Sequence, residues 1–187
     1  RNHPHGSDPV LDESSPQRSP GVNLPSMATL LIVHHSPTAA VQSLTDAVAA
    51  GACDDAITDV TVRVVPALEA TAADVLAADG YVLGTPANFG YMSGALKHFF
   101  DSIFLEAGGA LTESGGAAAP RQGRKPFGLF VHGRYDTTGA VRSVLTIVSA
   151  LPWRQGAEIL DVVGQVTDGD RDAAYELGGT IAALLGS

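Results

Sequence analysis

The chain has 187 residues, 45% of them hydrophobic and 17% charged, with a formal net charge of −9. That fits one domain of ordinary size with a well-buried core under a thin polar shell. The acidic balance excludes a nucleic-acid partner, because such affinity comes mainly from Lys and Arg neutralising phosphates, and only Arg121, Arg124 and Lys125 cluster.

Residues 1–26 are rich in Pro, Ser and charge and carry no periodic apolar pattern. They lack the apolar centre of a signal peptide, so they read as a disordered leader or remnant. Met27 is then the native start, the domain runs over 27–187, and His3 and His5 are tag-like rather than ligands. LLIV (30–33) has the continuous apolar character of a strand buried on both faces. Residues 38–51 follow as a helix with Val41, Leu44 and Val48 on one face and Gly51 as its stop. The single cysteine, Cys53, permits no intrachain disulfide or thiolate cluster; it reads as a small helix-end residue in a reducing cytoplasm. VTVRVV (60–65) alternates as a second strand, 70–78 forms a short helix, and GYVLGT (80–85) is the third strand.

Residues 93–104 form a helix with Leu96, Phe99, Phe100 and Ile103 on one face. A Gly/Ala-rich loop occupies 107–125. FGLFVHG (127–133) is the fourth strand, and 138–151 is a helix through Val141, Val144, Leu145 and Val148. AEILDVVG (157–164) is the fifth strand. The last helix, 170–185, is capped by Asp168 or Asp170. No run of apolar residues approaches membrane-spanning length, so no membrane insertion is expected.

Five strands alternating with five helices predict an α/β three-layer sandwich, a five-stranded parallel sheet with helices on both faces. Such sheets bind ligands outside the carboxyl ends of the strands, where the strand order switches. The loops after strands one, three and four are the polar or Gly-rich excursions of an otherwise apolar core. HSPTAAVQSL (35–44) offers Ser36, Thr38 and the backbone amides of a helix N-terminus, an anion site or a plain helix cap. It has neither a GK[ST] end nor GxGxxG. GTPANFGYMSG (84–94) is too long for a plain βα turn. Pro86 and Gly90 shape its backbone, and Phe89 and Tyr91 add flat apolar surface, unless Phe89 tucks into the core. HGRYDTTG (132–139) offers Arg134 to a phosphate or carboxylate, Tyr135, and Asp136 as a helix cap, with His132 a hydrogen-bonded strand end.

GYMSG has the spacing GxxSG rather than GxSxG, which disfavours hydrolase chemistry. No HExxH or paired-Cys spacing is present, and His34, His35 and His98 are not spaced as ligands, so no metal is expected.

Together these loops resemble the flavodoxin-like superfamily, most closely its NAD(P)H:quinone oxidoreductase and FMN-reductase branch of the tryptophan-repressor-binding-protein type. HHSPTAAVQSL resembles the S-x-T-G-N-T phosphate loop, GTPANFGYMSGALKHFFD the GTP-x-x-FG-x-MS-x-x-x-K-x-F-x-D segment, and the stretch up to FGLFVHG the loop and strand that follow. The resemblance implies a flavodoxin-like fold and FMN. It implies a phosphate at Ser36, Thr38, Ala39, Ala40 and Val41. The flavin ring would lie along Thr85, Pro86, Ala87, Asn88, Phe89 and Gly90, with Gly133, Arg134, Tyr135 and Asp136 closing the other side. The family's Gly and Thr in the phosphate loop are Ala39 and Val41 here, which removes one hydroxyl donor.

The resemblance implies an enzyme that passes hydride from NADH or NADPH through flavin to a quinone-like acceptor. The cofactor carries that chemistry; Tyr135 or His132 could assist. Two alternatives are a flavodoxin-type electron carrier, whose acidic surface suits basic partners, and a flavin-free regulatory or binding module. Family members are often dimers or tetramers, which makes a homodimer or homotetramer the expectation here, with an exposed Trp153 and the 107–125 loop as interface or acceptor-pocket elements.

Overall fold

The computed structural model describes residues 27–109 and 123–186. The expectations for 1–26, and for 110–122 of the Gly/Ala-rich loop, lie outside them.

The elements follow the expected order. They are β1 (Ala28–His34), α1 (Ala39–Ala52), β2 (Val60–Pro66), α2 (Ala72–Ala77), β3 (Gly80–Asn88), β4 (Tyr91–Met92), α3 (Gly94–Ile103), β5 (Lys125–Gly133), α4 (Thr138–Val148), β6 (Trp153–Gln155), β7 (Leu160–Val163) and α5 (Asp168–Ala183). The sheet runs β2-β1-β3-β5-β6, with β7 also parallel to β5 and β4 antiparallel to β3. The order reverses between β1 and β3, which is the switch point of a flavodoxin-like sheet.

Seven strands replace the expected five, for two local reasons. The loop after strand three folds back as β4. The strand expected over 157–164 is β7, beside Phe130–Gly133, and the residues just before it add β6, beside Lys125–Phe127. Between them the Gln155 side-chain amide donates to Ala157 O at 2.9 Å, so that carbonyl is satisfied outside the ladder.

Each sheet face has its own core. Leu31, Val33, Tyr81, Leu83, Leu129 and Val131 pack under α2, α3 and α4, where Leu96, Phe99, Phe100 and Ile103 are buried. Leu30, Ile32, Val82 and Phe130 pack under α1 and α5. This alternation explains why β1, β3 and β5 read as unbroken apolar runs.

Several local expectations change. Gly51 does not stop α1. It lies inside the helix, where a Cβ would sit 1.9 Å from Tyr175 O; a Cβ at Gly178 would sit 1.9 Å from Val48 O. These glycines let α1 and α5 cross backbone to backbone. The α1 C-cap is Cys53, an exposed free cysteine. The cap of α5 is Thr167, which shares a capping box with Asp170. Trp153 is not exposed: it is 2% accessible and stacks on Tyr81, ring centroids 4.0 Å apart, so it belongs to the core.

Candidate functional site

The three polar loops converge at the carboxyl ends of β1, β3 and β5. The parallel ladder aligns His34 with Gly84 and Pro86 with His132, and His35 N donates to Gly84 O at 3.0 Å.

The loop after β3 is tighter than its length suggests. β3 continues to Asn88, and Asn88 then pairs with Tyr91 and Ala87 with Met92 across a two-residue turn. Phe89 (φ 51°) and Gly90 (φ 76°) both have positive φ, the signature of a type I′ hairpin turn. Gly90 suits this and Phe89 does not; the left-handed region costs a side-chain-bearing residue roughly 1–2 kcal/mol. Phe89 is fully exposed, so the ring does not tuck into the core. Thr85 is buried: its hydroxyl donates to Pro86 O at 2.9 Å and accepts from Ser93 N at 3.0 Å. It ties the hairpin to α3 and has no surface for a ligand. Ser93 is also fully buried and caps α3 by accepting from Leu96 N at 3.2 Å, so it is no nucleophile.

The loop after β5 packs against this hairpin. A Cβ at Gly139 would meet Gly90 O at 2.2 Å, and one at Gly133 would meet Thr137 Cγ2 at 2.7 Å and Ala87 Cβ at 3.1 Å. Asp136 accepts from Thr138 N at 2.9 Å, which anchors the loop to the start of α4. That bond holds its carboxyl below the usual range. Arg134 lies over the Tyr135 ring at 5.4 Å, and Tyr135 is 81% exposed. His132 Nε2 lies 2.8 Å from Gly164 O, so it is a hydrogen-bonded strand end rather than a free acid–base group.

Hairpin and loop enclose a cleft of about 460 Å³ lined by Ala87, Phe89, Gly90, Arg134, Tyr135 and Asp136. The size falls in the range of small-molecule sites. All six residues were expected around the flavin ring. Asn88 is exposed beside the turn, whereas Pro86 and Gly133 are buried beneath it.

The loop expected to hold a phosphate follows β1, which pairs with β3 beside the hairpin. Thr38 caps α1 and accepts from Val41 N at 3.4 Å. The amides of Ala39 and Ala40 begin the helix and so have no acceptor within it. Ala39 is at the first helical position, and no positive φ occurs there, so the absent glycine costs no strain. Val41 is fully buried and offers no side chain to a ligand. Ser36 does not cap the helix: its hydroxyl lies 2.8 Å from His34 Nδ1 and 2.7 Å from Thr45 Oγ1. His34 and Thr45 were not foreseen. A Thr inside the Val41, Leu44, Val48 stripe was the available signal.

A flat ring and an anionic tail suit these groups. Exposed Phe89 and Tyr135 and the Arg134 cation surround the cleft, and a helix N-terminus adjoins it. His35 Nδ1 is buried without a partner beside the ends of β1 and β3. Among the described residues no group of His, Cys, Asp and Glu could hold a metal ion.

Known proteins share this fold. Residues 32–160 match the family model for NADPH-dependent FMN reductase. A flavodoxin from Aquifex aeolicus (strain VF5) is 34% identical over 85 residues, which is 46% of this chain and 45% of that protein, so the match spans about half of the curated relative. Among solved structures, a flavodoxin from the domain Archaea superimposes with a TM-score of 0.67 at 14% identity, covering 84% of this chain and 98% of that one. A flavodoxin, WrbA-like protein from Agrobacterium tumefaciens gives 0.60 at 18%, covering 84% and 97%. These structural likenesses show the flavodoxin-like fold; the family match covers most of the described chain. The chain belongs to the NADPH-dependent FMN reductase family.

Proposed function

We propose that the protein is an FMN-dependent oxidoreductase that takes electrons from NADPH or NADH and delivers them to a quinone-like acceptor. The observation that carries this reading is the cleft between hairpin and β5–α4 loop, whose six lining residues are all ring-side positions of the family pattern. When bound, FMN supplies hydride acceptance and onward electron transfer.

The chain's own residues do the rest. The hairpin from Ala87 to Gly90 presents backbone to one edge of the ring. Phe89 and Tyr135 give apolar walls that exclude water. Asp136, fixed to Thr138 N, keeps the second wall in place. The phosphate lies at Ser36, Thr38 and the first amides of α1, where the helix dipole favours an anion. Val41 is buried, and its amide already donates to Thr38 Oγ1.

Titration with FMN tests the reading: it predicts saturable binding, a raised melting temperature, and NAD(P)H oxidation when a quinone is added. An FMN-loaded protein that leaves NADPH and NADH untouched refutes the enzyme.

The local identity to a flavodoxin favours a second reading, an electron carrier. Redox titration separates the two: a carrier takes up its two electrons in well-resolved single steps. Both readings take the protein to work in the cytoplasm; its one cysteine is free, and no helix among the described residues is long and apolar enough to cross a membrane. We take the working unit to be a homodimer or homotetramer, which sedimentation of the loaded protein tests.

A further inference from the structure

Residues 36–41, Ser-Pro-Thr-Ala-Ala-Val, contain no Lys, Arg or His. An anion there has only hydroxyls, amides and the helix dipole to hold it. The titratable side chain bonded to this loop is His34, through the chain His34 Nδ1, Ser36 Oγ, Thr45 Oγ1, with links of 2.8 and 2.7 Å. Thr45 is 1% exposed and donates onward to Val41 O at 3.2 Å.

The protons can be counted. When Thr45 donates to Val41 O, Ser36 must donate to Thr45, and His34 must donate from Nδ1. When Nδ1 instead accepts, Ser36 donates to it. Either way the Ser36 proton points inward and an anion gains nothing from it. Only one arrangement turns that proton outward: Thr45 and His34 both donate to Ser36. Val41 O then keeps the ordinary helical bond from Thr45 N, so nothing buried is orphaned. A neutral imidazole donates from Nδ1 in one tautomer only, whereas the imidazolium always does.

We propose that His34 is the positioning residue of the phosphate site: it holds Ser36 from behind so that the hydroxyl proton faces the phosphate, and in its protonated form it supplies the positive charge that the loop lacks. This rests on the FMN reading above.

The groups facing His34 are Asp46 on α1, which favours its charge, and His35, which opposes it. Its ladder partners, Pro66 on β2 and Gly84 on β3, are uncharged. Burial is the largest influence and holds the free imidazole below its usual range. A bound phosphate favours the imidazolium and raises that value. The added affinity is therefore full below the free-state pKa and disappears as pH rises through the bound-state pKa.

The test compares FMN and riboflavin, which lacks the phosphate, in wild type, His34→Leu and His34→Asn across about pH 5 to about pH 8. The phosphate's own titration is common to all three proteins and cancels in the ratio of affinities. The wild-type advantage over His34→Leu for FMN is expected to grow roughly tenfold toward the acid end, and to stay flat for riboflavin. His34→Asn, with a donor amide near the Nδ1 position, should recover the alkaline affinity but not the acid gain. In wild-type protein, inorganic phosphate should raise the His34 titration midpoint followed by NMR, a readout that needs no variant. A flat FMN ratio, an equal response to riboflavin, or an unmoved midpoint overturns the role of His34 alone. Failure of wild type to bind both FMN and phosphate overturns the FMN reading as well.

Discussion

The cleft proposed for the flavin ring is held by backbone, the loop proposed for its phosphate by hydroxyls. On the ring side, Gly90 and Gly139 bring two main chains into contact, Thr85 is spent on Ser93 N, and Asp136 is spent on Thr138 N. Little there can rearrange. On the side proposed for the phosphate, the Ser36 and Thr45 hydroxyl protons can each turn to more than one partner, so the same heavy atoms support several proton arrangements. A planar ring needs a fixed slot. A tetrahedral anion needs donors that can turn toward it. The two halves should therefore fail differently when perturbed.

The largest effect is expected from Gly139→Val. Its Cβ would sit 2.2 Å from Gly90 O, a backbone atom that cannot swing aside as a side chain could. Overpacking of this kind costs about 1–3 kcal/mol. The urea midpoint should fall, and FMN and riboflavin should weaken together, because the slot that both use is displaced. If only FMN weakens, the ring-side assignment is wrong.

Ser36→Ala should do the reverse. A hydrogen bond to a charged group is worth roughly 1.5–3 kcal/mol, so FMN affinity should drop about 10- to 100-fold. Riboflavin affinity and the melting temperature should hardly move. A matching loss for riboflavin would place Ser36 outside the phosphate site.

Phe89→Gly sharpens the comparison further. It removes the penalty of a positive φ, a gain of roughly 1 kcal/mol or slightly more in stability. It also removes an exposed wall of the cleft, so affinity for both flavins should fall while stability rises. That opposition marks a strained residue kept for a ligand; a fall in both would assign Phe89 to packing instead.

The smallest effect concerns acid. The depressed carboxyl of Asp136 contributes its anchoring bond fully above the unfolded-state pKa and loses it as pH falls through the folded value. The group is exposed, so global stability should change little. Loosening of the loop around Tyr135, followed by hydrogen exchange at the Thr138 amide, should begin only below the usual carboxylate range. Asp136→Asn should shift or abolish that onset.

The elements were legible because their signals are local. Buried parallel strands must be continuous apolar runs, and LLIV and FGLFVHG are. Helices packed on one side must repeat their apolar residues at the helical period, and residues 93–104 do. The cleft was legible through the resemblance of GTPANFGYMSG and because ligands collect at the carboxyl ends of such sheets. Features made by distant partners stayed hidden. Gly51 looked like a helix stop because its contact, Tyr175 O, lies on α5. Trp153 looked exposed because Tyr81, on which it stacks, is far away in sequence. Asn88-Phe89-Gly90 looked like open loop because nothing local announces a β4 only two residues long.

The order of apolar and polar segments thus determined by itself the layers, the helix faces and the three loops, since periodicity acts within a few residues. Tertiary structure alone decided which backbone groups meet, which hydroxyls are consumed inside the fold, and which remain for a ligand. Ser36 belongs to a chain with His34 and Thr45 because β1 and α1 bring together atoms whose hydrogen bonds depend on distances of a few tenths of an ångström.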